Sequence, residues 1–229
     1  LAAIIQMKSL TSDQIATYHS QGYMRVEGVL DSSEVTAFRV AFSSPNTNQS
    51  TQRGSSVYGL RNILQDIPQV NDLARSARST NLAHQLLLDT QCATENPTPF
   101  PTRGLYFDKL EGANWRLPWH QDLAIAVKEK VPTEGYTAWS QKEGIPHVIP
   151  PQRILEQRIA LRFHLDDSTC DSGSLLVIPG THRLGRITHL QIKELVETGD
   201  TVTCVCKSGD LLLMHPLLLH ASQPATIPT

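Results

Sequence analysis

The sequence predicts a mainly β fold: a β-sandwich or jelly-roll core flanked by N-terminal α-helices. Three observations carry this. The chain is helix-rich to about residue 103 and then turns into many short apolar runs punctuated by Gly and Pro. The run Arg158 to Asp166 alternates cleanly, with Ile159, Leu161, Phe163 and Leu165 on one face and Arg158, Ala160, Arg162, His164 and Asp166 on the other. At 229 residues the chain is most simply one domain, 1–229, large enough for a substantial core. Helical cladding is expected over about 1–103 and the jelly roll over about 104–229.

Taken in order, Thr11 to Gln21 reads as a helix with Thr11 or Ser12 as N-cap and Gly22 as its stop. Tyr23 to Glu27 is a brief strand. Asp31 stands three residues ahead of Glu34 in the capping-box arrangement, and Val35, Phe38 and Phe42 form the stripe of the second helix. Ser43 to Ser56 is polar and reads as a surface loop. Pro68 to Asp89 reads as one or two helices, and Thr90 to Arg103 as a connection. Strands are expected at Leu105–Leu110, Trp119–Val127, Arg158–Asp166, Ser174–Ile178, Thr201–Cys206, Asp210–Met214 and Leu217–Ala221. Leu190 to Val196 is a short helix. Pro132 to Pro151 reads as a long loop over the pocket mouth, with Tyr136 and Trp139 either stacking on a substrate or pinning the loop.

Composition excludes several classes. A net charge of −2 and a pI near 6.5 give no footprint for nucleic acid or an anionic membrane. No apolar run approaches the roughly 18 residues of a membrane span. Leu1 to Ile5 is too short and lacks a charged leader, and the chain is expected to begin within a longer natural one. Cys92, Cys170, Cys204 and Cys206 show no metal or redox spacing, so reduced thiols in the cytoplasm are expected. Nucleotide-binding glycine motifs, Gly-x-Ser-x-Gly, His-Glu-x-x-His and paired Cys-x-x-Cys are absent.

The chemistry-bearing residues are histidines and carboxylates. In a strand, residues two apart share a face, so His120 and Asp122 can converge on one point. A second, distant histidine completes a two-His, one-carboxylate set that leaves positions open on a non-haem Fe(II). His164 and Asp166 form a second such pair, and His215 competes with His220 as the distal ligand. Pro216 makes His215 a strand break, whereas His220 sits within an apolar run where an unpaired imidazole is costly. Each pair has a bland alternative as strand-surface residues, and His220 as a satisfied core histidine.

Four stretches in order decide among these. They are Asn114 to Asp122, Leu161 to Asp167, Gly173 to Arg183, and Gly209 to Ser222. Together they resemble the phytanoyl-CoA dioxygenase family of Fe(II)/2-oxoglutarate oxygenases, from about Thr11 onward. The resemblance implies a cupin-like double-stranded β-helix, with His120, Asp122 and His220 as metal ligands. It implies Ser222 beside the 2-oxoglutarate carboxylate and Arg162 near the cosubstrate, with Arg61 a weaker contact. Arg162 also has a plain alternative, as a surface arginine paired with Asp166 or Asp108. Thr181 to Arg183 matches a structural turn. The implied reaction uses Fe(II), 2-oxoglutarate and O2, gives succinate and CO2, and hydroxylates a small molecule. A carboxylate at Asp122, where related halogenases have a small residue, favours hydroxylation. The family's carboxylate-clamping arginine and final strand are expected beyond Thr229. The alternatives are another metal-dependent jelly-roll enzyme, or a non-catalytic binding module.

Overall fold

The computed structural model describes residues 9–43, 50–53, 56–87, 98–109, 114–142 and 144–227. The expectations for Leu1 to Ile5 and for Cys92, and parts of those for Ser43–Ser56, Thr90–Arg103 and Leu105–Leu110, lie outside these residues. Helix α1 is Ser12–Gln21. Strand β1 is Tyr23–Val26, α2 Ser32–Ser43, β2 Ser50–Arg53, β3 Ser56–Arg61, α3 Ile63–Asp66, α4 Pro68–Arg75 and α5 Ala77–Leu87. There follow β4 Leu105–Phe107, β5 Leu117–His120, β6 Ile125–Ala126, β7 Thr137–Lys142, β8 Ile145–Ile149, α6 Gln152–Glu156 and β9 Ala160–Phe163. The chain continues with β10 Leu175–Val177, α7 His189–Thr198, β11 Val202–Cys204, β12 Leu211–Met214 and β13 His220–Ser222.

Local chemistry sets the helix ends. The Thr11 hydroxyl accepts from the Gln14 amide while the Gln14 side chain accepts from the Thr11 amide, satisfying two donors the first turn leaves free. Asp31 and Glu34 do the same at α2. Gly22 closes α1 at φ +82°, and a Cβ there would meet the His182 ring at 2.4 Å, so glycine is required on both counts.

Two antiparallel sheets form the core, in strand order β1-β12-β9 and β11-β10-β13-β5. β12 is buried along its whole length. Its Leu211 and Leu213 pack toward α1 and α5, with Tyr18, Leu82 and Leu86. Its Leu212 and Met214 meet Leu175, Val177 and Cys204 of the facing sheet and Leu218 of the turn before β13. A run apolar at every position is the pattern of a strand covered on both faces. The early strand β1 joins this core, pairing Tyr23 with Met214. Asp210 fastens the turn before β12, accepting from the amides of Gly28 and Lys207 at 2.9 and 2.8 Å.

Several expectations are corrected. The run from Trp119 is not one strand: β5 ends at His120, and β6 begins only at Ile125. The Asp122 amide donates to Pro216 O instead of a strand ladder. The segment Pro132 to Pro151 is not a structureless loop, because β7 and β8 pair within it and β6 adds to β8. The polar stretch read as a loop up to Ser56 contains β2, which pairs with β3. β7 is largely solvent-facing, so no apolar alternation betrays it.

Candidate metal centre

His120 and His220 are directly opposed residues on β5 and β13. Pro118 is tolerated in β5 because that strand is the edge of its sheet. The pairing register shifts between His220 and Ser222, and such bulges re-aim side chains. Asp122 follows the end of β5 and reaches both rings. Its Oδ1 is 3.8 Å from His120 Nε2 and its Oδ2 is 3.7 Å from His220 Nε2. The three ligand atoms lie within 4.8 Å of one another, the only such group of three or more His, Cys, Asp or Glu among the described residues.

The tautomers suit a metal. His120 Nδ1 donates to Pro118 O at 2.8 Å, and His220 Nδ1 donates to Leu218 O at 2.7 Å. Each ring thereby carries its proton on Nδ1 and turns the Nε2 lone pair toward Asp122, the arrangement that orients metal-binding imidazoles. Burial holds the His220 pKa below its ordinary value, against the pull of the Asp122 carboxylate. His220 is buried while Asp122 is open to solvent, so the set has one closed and one accessible side. Two imidazoles and one carboxylate are a donor set for a divalent first-row metal such as Fe(II).

Gln121, between the two near ligands, points the opposite way and is buried. Its Nε2 donates to Gly185 O and Leu217 O at 2.8 and 2.7 Å, and its Oε1 accepts from the Ile187 amide at 3.0 Å. Sequence reading passed over it; an amide inside the His-x-Asp pair was the available signal.

The other predicted residues are placed as follows. Ser222 is buried two residues after His220. Its Oγ accepts from Lys109 Nζ at 3.0 Å, and the same ammonium donates to Gly173 O and Gln223 O. Desolvation, then the Arg162 charge, pulls the Lys109 pKa down to about 8. Lys109 was also missed, its signal being a lysine that, with Asp108, interrupts an apolar run. Arg162 stands opposite Leu212 of β12. As the partner of Leu212, which packs toward the other sheet, it lies on the inward face of β9 and is exposed to solvent; desolvation lowers its pKa, while Cys204, Cys206 and Asp122 act against that. Its alternative partners are engaged elsewhere: Asp166 with Arg39 at 2.6 Å and Asp108 with Tyr106. Arg61 ends β3, opposite Leu105.

The competing histidines do not join the group. His164 is buried, and desolvation followed by the Arg162 charge brings its pKa down to about 4. His215 Nδ1 accepts from the Leu217 amide at 3.1 Å, committing that ring to the turn after β12.

The family model for phytanoyl-CoA dioxygenase (PhyH) matches residues 18–226. No curated protein matches the sequence. Among solved structures, EctD from S. alaskensis with bound Fe is similar at 20% identity and TM-score 0.69, over 96% of this chain and 73% of that one. EctD with 2-oxoglutarate and 5-hydroxyectoine aligns over 100% of this chain and 78% of that one, at 18% identity and TM-score 0.70. The non-heme alpha ketoglutarate dependent carbocyclase SnoK from nogalamycin biosynthesis is 16% identical, with TM-score 0.68, over 96% and 80% of the two chains. At these identities the likeness is one of fold, the cupin-like double-stranded β-helix.

Proposed function

Since the chain belongs to the phytanoyl-CoA dioxygenase family, we propose that it is an Fe(II)- and 2-oxoglutarate-dependent dioxygenase that hydroxylates a small molecule. The observation that carries this is the convergence of two Nδ1-protonated imidazoles on one solvent-accessible carboxylate. In this reading His120, Asp122 and His220 hold the iron. Ser222 and Arg162 bind the cosubstrate, with Arg61 an outer contact. The iron, when bound, couples oxidation of 2-oxoglutarate by O2, giving succinate and CO2, to hydroxylation of a substrate carbon.

The chain's own residues supply the rest. Pro118 O and Leu218 O keep each imidazole in one tautomer. Gln121 anchors the strand end that carries two of the three ligands. Lys109 holds the Ser222 hydroxyl in a fixed direction. The solvent-exposed guanidinium of Arg162, on the inward face of β9, matches a carboxylate in charge and fork geometry. The apolar wall of Leu212, Met214 and Leu218 restricts water.

We further propose that residues 1–229 act as one oxygenase domain. No described helix is long and apolar enough to cross a membrane. The free thiols Cys170, Cys204 and Cys206 support a reducing compartment, the cytoplasm. Purified protein supplied with Fe(II) in air is expected to convert 2-oxoglutarate to succinate, and His220→Ala to lose that turnover. Absence of cosubstrate binding under anaerobic conditions would count against the reading.

A further inference from the structure

A cavity of ≈ 200 Å³ borders the turn at His215, where Tyr18, Leu86, Leu87, Arg158 and Ile159 share its wall. The turn is tied to the metal centre from behind: His215 precedes Pro216, whose carbonyl accepts from the Asp122 amide at 2.8 Å. Its lining among the described residues includes none of His120, Asp122, His220, Arg162 and Ser222. The cavity is therefore a separate place from the metal centre.

Two polar side chains of this wall are buried and unmatched. Tyr18 is 3% exposed, and its hydroxyl has no hydrogen-bond partner. Nη1 of Arg158 is also buried without a partner. A buried donor left in this state opposes folding, and native structures keep few of them. The carboxylate that acts on Arg158 is Asp122, which is committed to the two imidazoles. Burial raises the Tyr18 pKa, so its phenol keeps its proton at neutral pH.

Other polar groups of the wall are engaged. His215 Nδ1 accepts from the Leu217 amide at 3.1 Å, and its ring also bonds the Glu156 backbone. His182 Nε2 donates to His19 O at 3.1 Å. The His182 Nδ1 lies against Gly22, where a Cβ would meet it at 2.4 Å. Glu156 and Arg183 line the cavity as exposed residues of opposite charge, and Glu156 Oε1 already accepts from Gln152 Nε2 at 2.7 Å. The buried charge of the wall is that of Arg158.

Two donors side by side with a guanidinium between them and solvent select an anionic acceptor. A water accepting from both must still place its own two protons, and Leu86, Leu87 and Ile159 make much of the remaining wall apolar. A carboxylate accepts from both and has no proton to place. A cavity of about 150 Å³ takes up a benzene, so the volume here admits an apolar body of that size.

We propose that this cavity is an accessory site for a small apolar monocarboxylate. The carboxylate is received by Tyr18 Oη and Arg158 Nη1, and the apolar body rests on Leu86, Leu87 and Ile159. The site needs neither iron nor 2-oxoglutarate, so it stands or falls apart from the oxygenase reading.

The test is calorimetric titration of the full chain, metal-free and again loaded anaerobically with Fe(II) and saturating 2-oxoglutarate. The probes are benzoate, its neutral match benzamide, and inorganic phosphate. One benzoate per chain is expected in both states, bound about ten-fold or more tighter than benzamide or phosphate. Arg158→Gln is expected to weaken benzoate about ten-fold or more, and Tyr18→Phe about three- to ten-fold. Tyr18→Phe removes a hydroxyl that makes no hydrogen bond. It is expected to melt no lower than the original, and it decides the matter where Arg158→Gln does not fold. Asp89 follows Leu87 by two residues and lies outside the described residues, so Asp89→Asn is titrated too, with unchanged benzoate binding expected. No benzoate binding, equal binding of benzamide, tighter binding of phosphate, or unchanged affinity in Tyr18→Phe overturns the inference. Displacement of benzoate by 2-oxoglutarate assigns it to the cosubstrate site and also overturns it. Binding that appears only in Asp89→Asn makes Asp89 the partner of Arg158 and overturns it as well.

Discussion

Replacing Gln121 by leucine tests how the metal centre is held in place. The side chain makes three hydrogen bonds, to Gly185 O, Leu217 O and the Ile187 amide. Leucine has similar bulk and no polar atoms, so it leaves two carbonyls and one amide unpartnered in a buried place. Each orphaned group costs about 1–3 kcal/mol. Better burial of an apolar side chain returns about 1–2 kcal/mol. The net loss is about 1–8 kcal/mol, with a midpoint near 4 kcal/mol that for a domain of this size lowers the melting temperature by roughly 10 °C. Because Gln121 sits between His120 and Asp122, the released strand end also loosens the metal, by about 10–100-fold in affinity. Thermal melting of the metal-free protein and anaerobic Fe(II) titration read the two effects. Gln121→Glu is the companion: it keeps the acceptor for Ile187 but turns an oxygen toward two carbonyls. It should be nearly as unstable as Gln121→Leu at neutral pH and recover as the carboxyl is protonated. A Gln121→Leu protein that melts within about 2 °C of the original and binds iron normally would refute the reasoning.

Lys109→Met removes the ammonium shared by Ser222 Oγ, Gly173 O and Gln223 O; a stability loss of about 1–3 kcal/mol and weaker 2-oxoglutarate binding are expected, and an unchanged melt together with an unchanged Kd would contradict that role. Folding should depend on pH through His164 and His215, whose pKa values lie at about 4 in the folded chain against about 6.5 when unfolded. Between those values the unfolded chain binds more protons, so stability present above pH ~6.5 drains away as pH falls toward ~4, by up to about 3 kcal/mol per histidine. Urea melts at neutral and mildly acidic pH measure this, and His164→Leu should flatten the slope; an identical slope would show that His164 does not contribute.

Much of this was legible in the chain because it depends on side-chain identity and local spacing. The caps at Thr11 and Asp31 are set by residues three apart, and both form. The apolar run before His215 reads as a strand, and β12 forms there, buried along its whole length. The metal set was legible as residue types, and the family resemblance chose between two His-x-Asp pairs that spacing alone left open. What escaped depends on tertiary placement. Asp122 reaches the imidazoles from beyond the strand end rather than along it, because its amide is taken by Pro216. β7 is almost wholly solvent-exposed, so no buried face imposes alternation on it.

The most direct measurement is metal content after anaerobic dialysis against Fe(II), with iron counted per chain. The account predicts one iron in the unaltered protein, loss of it in His120→Ala, Asp122→Ala and His220→Ala, and full retention in His164→Asn. Iron retained after His220→Ala, or lost after His164→Asn, would contradict it.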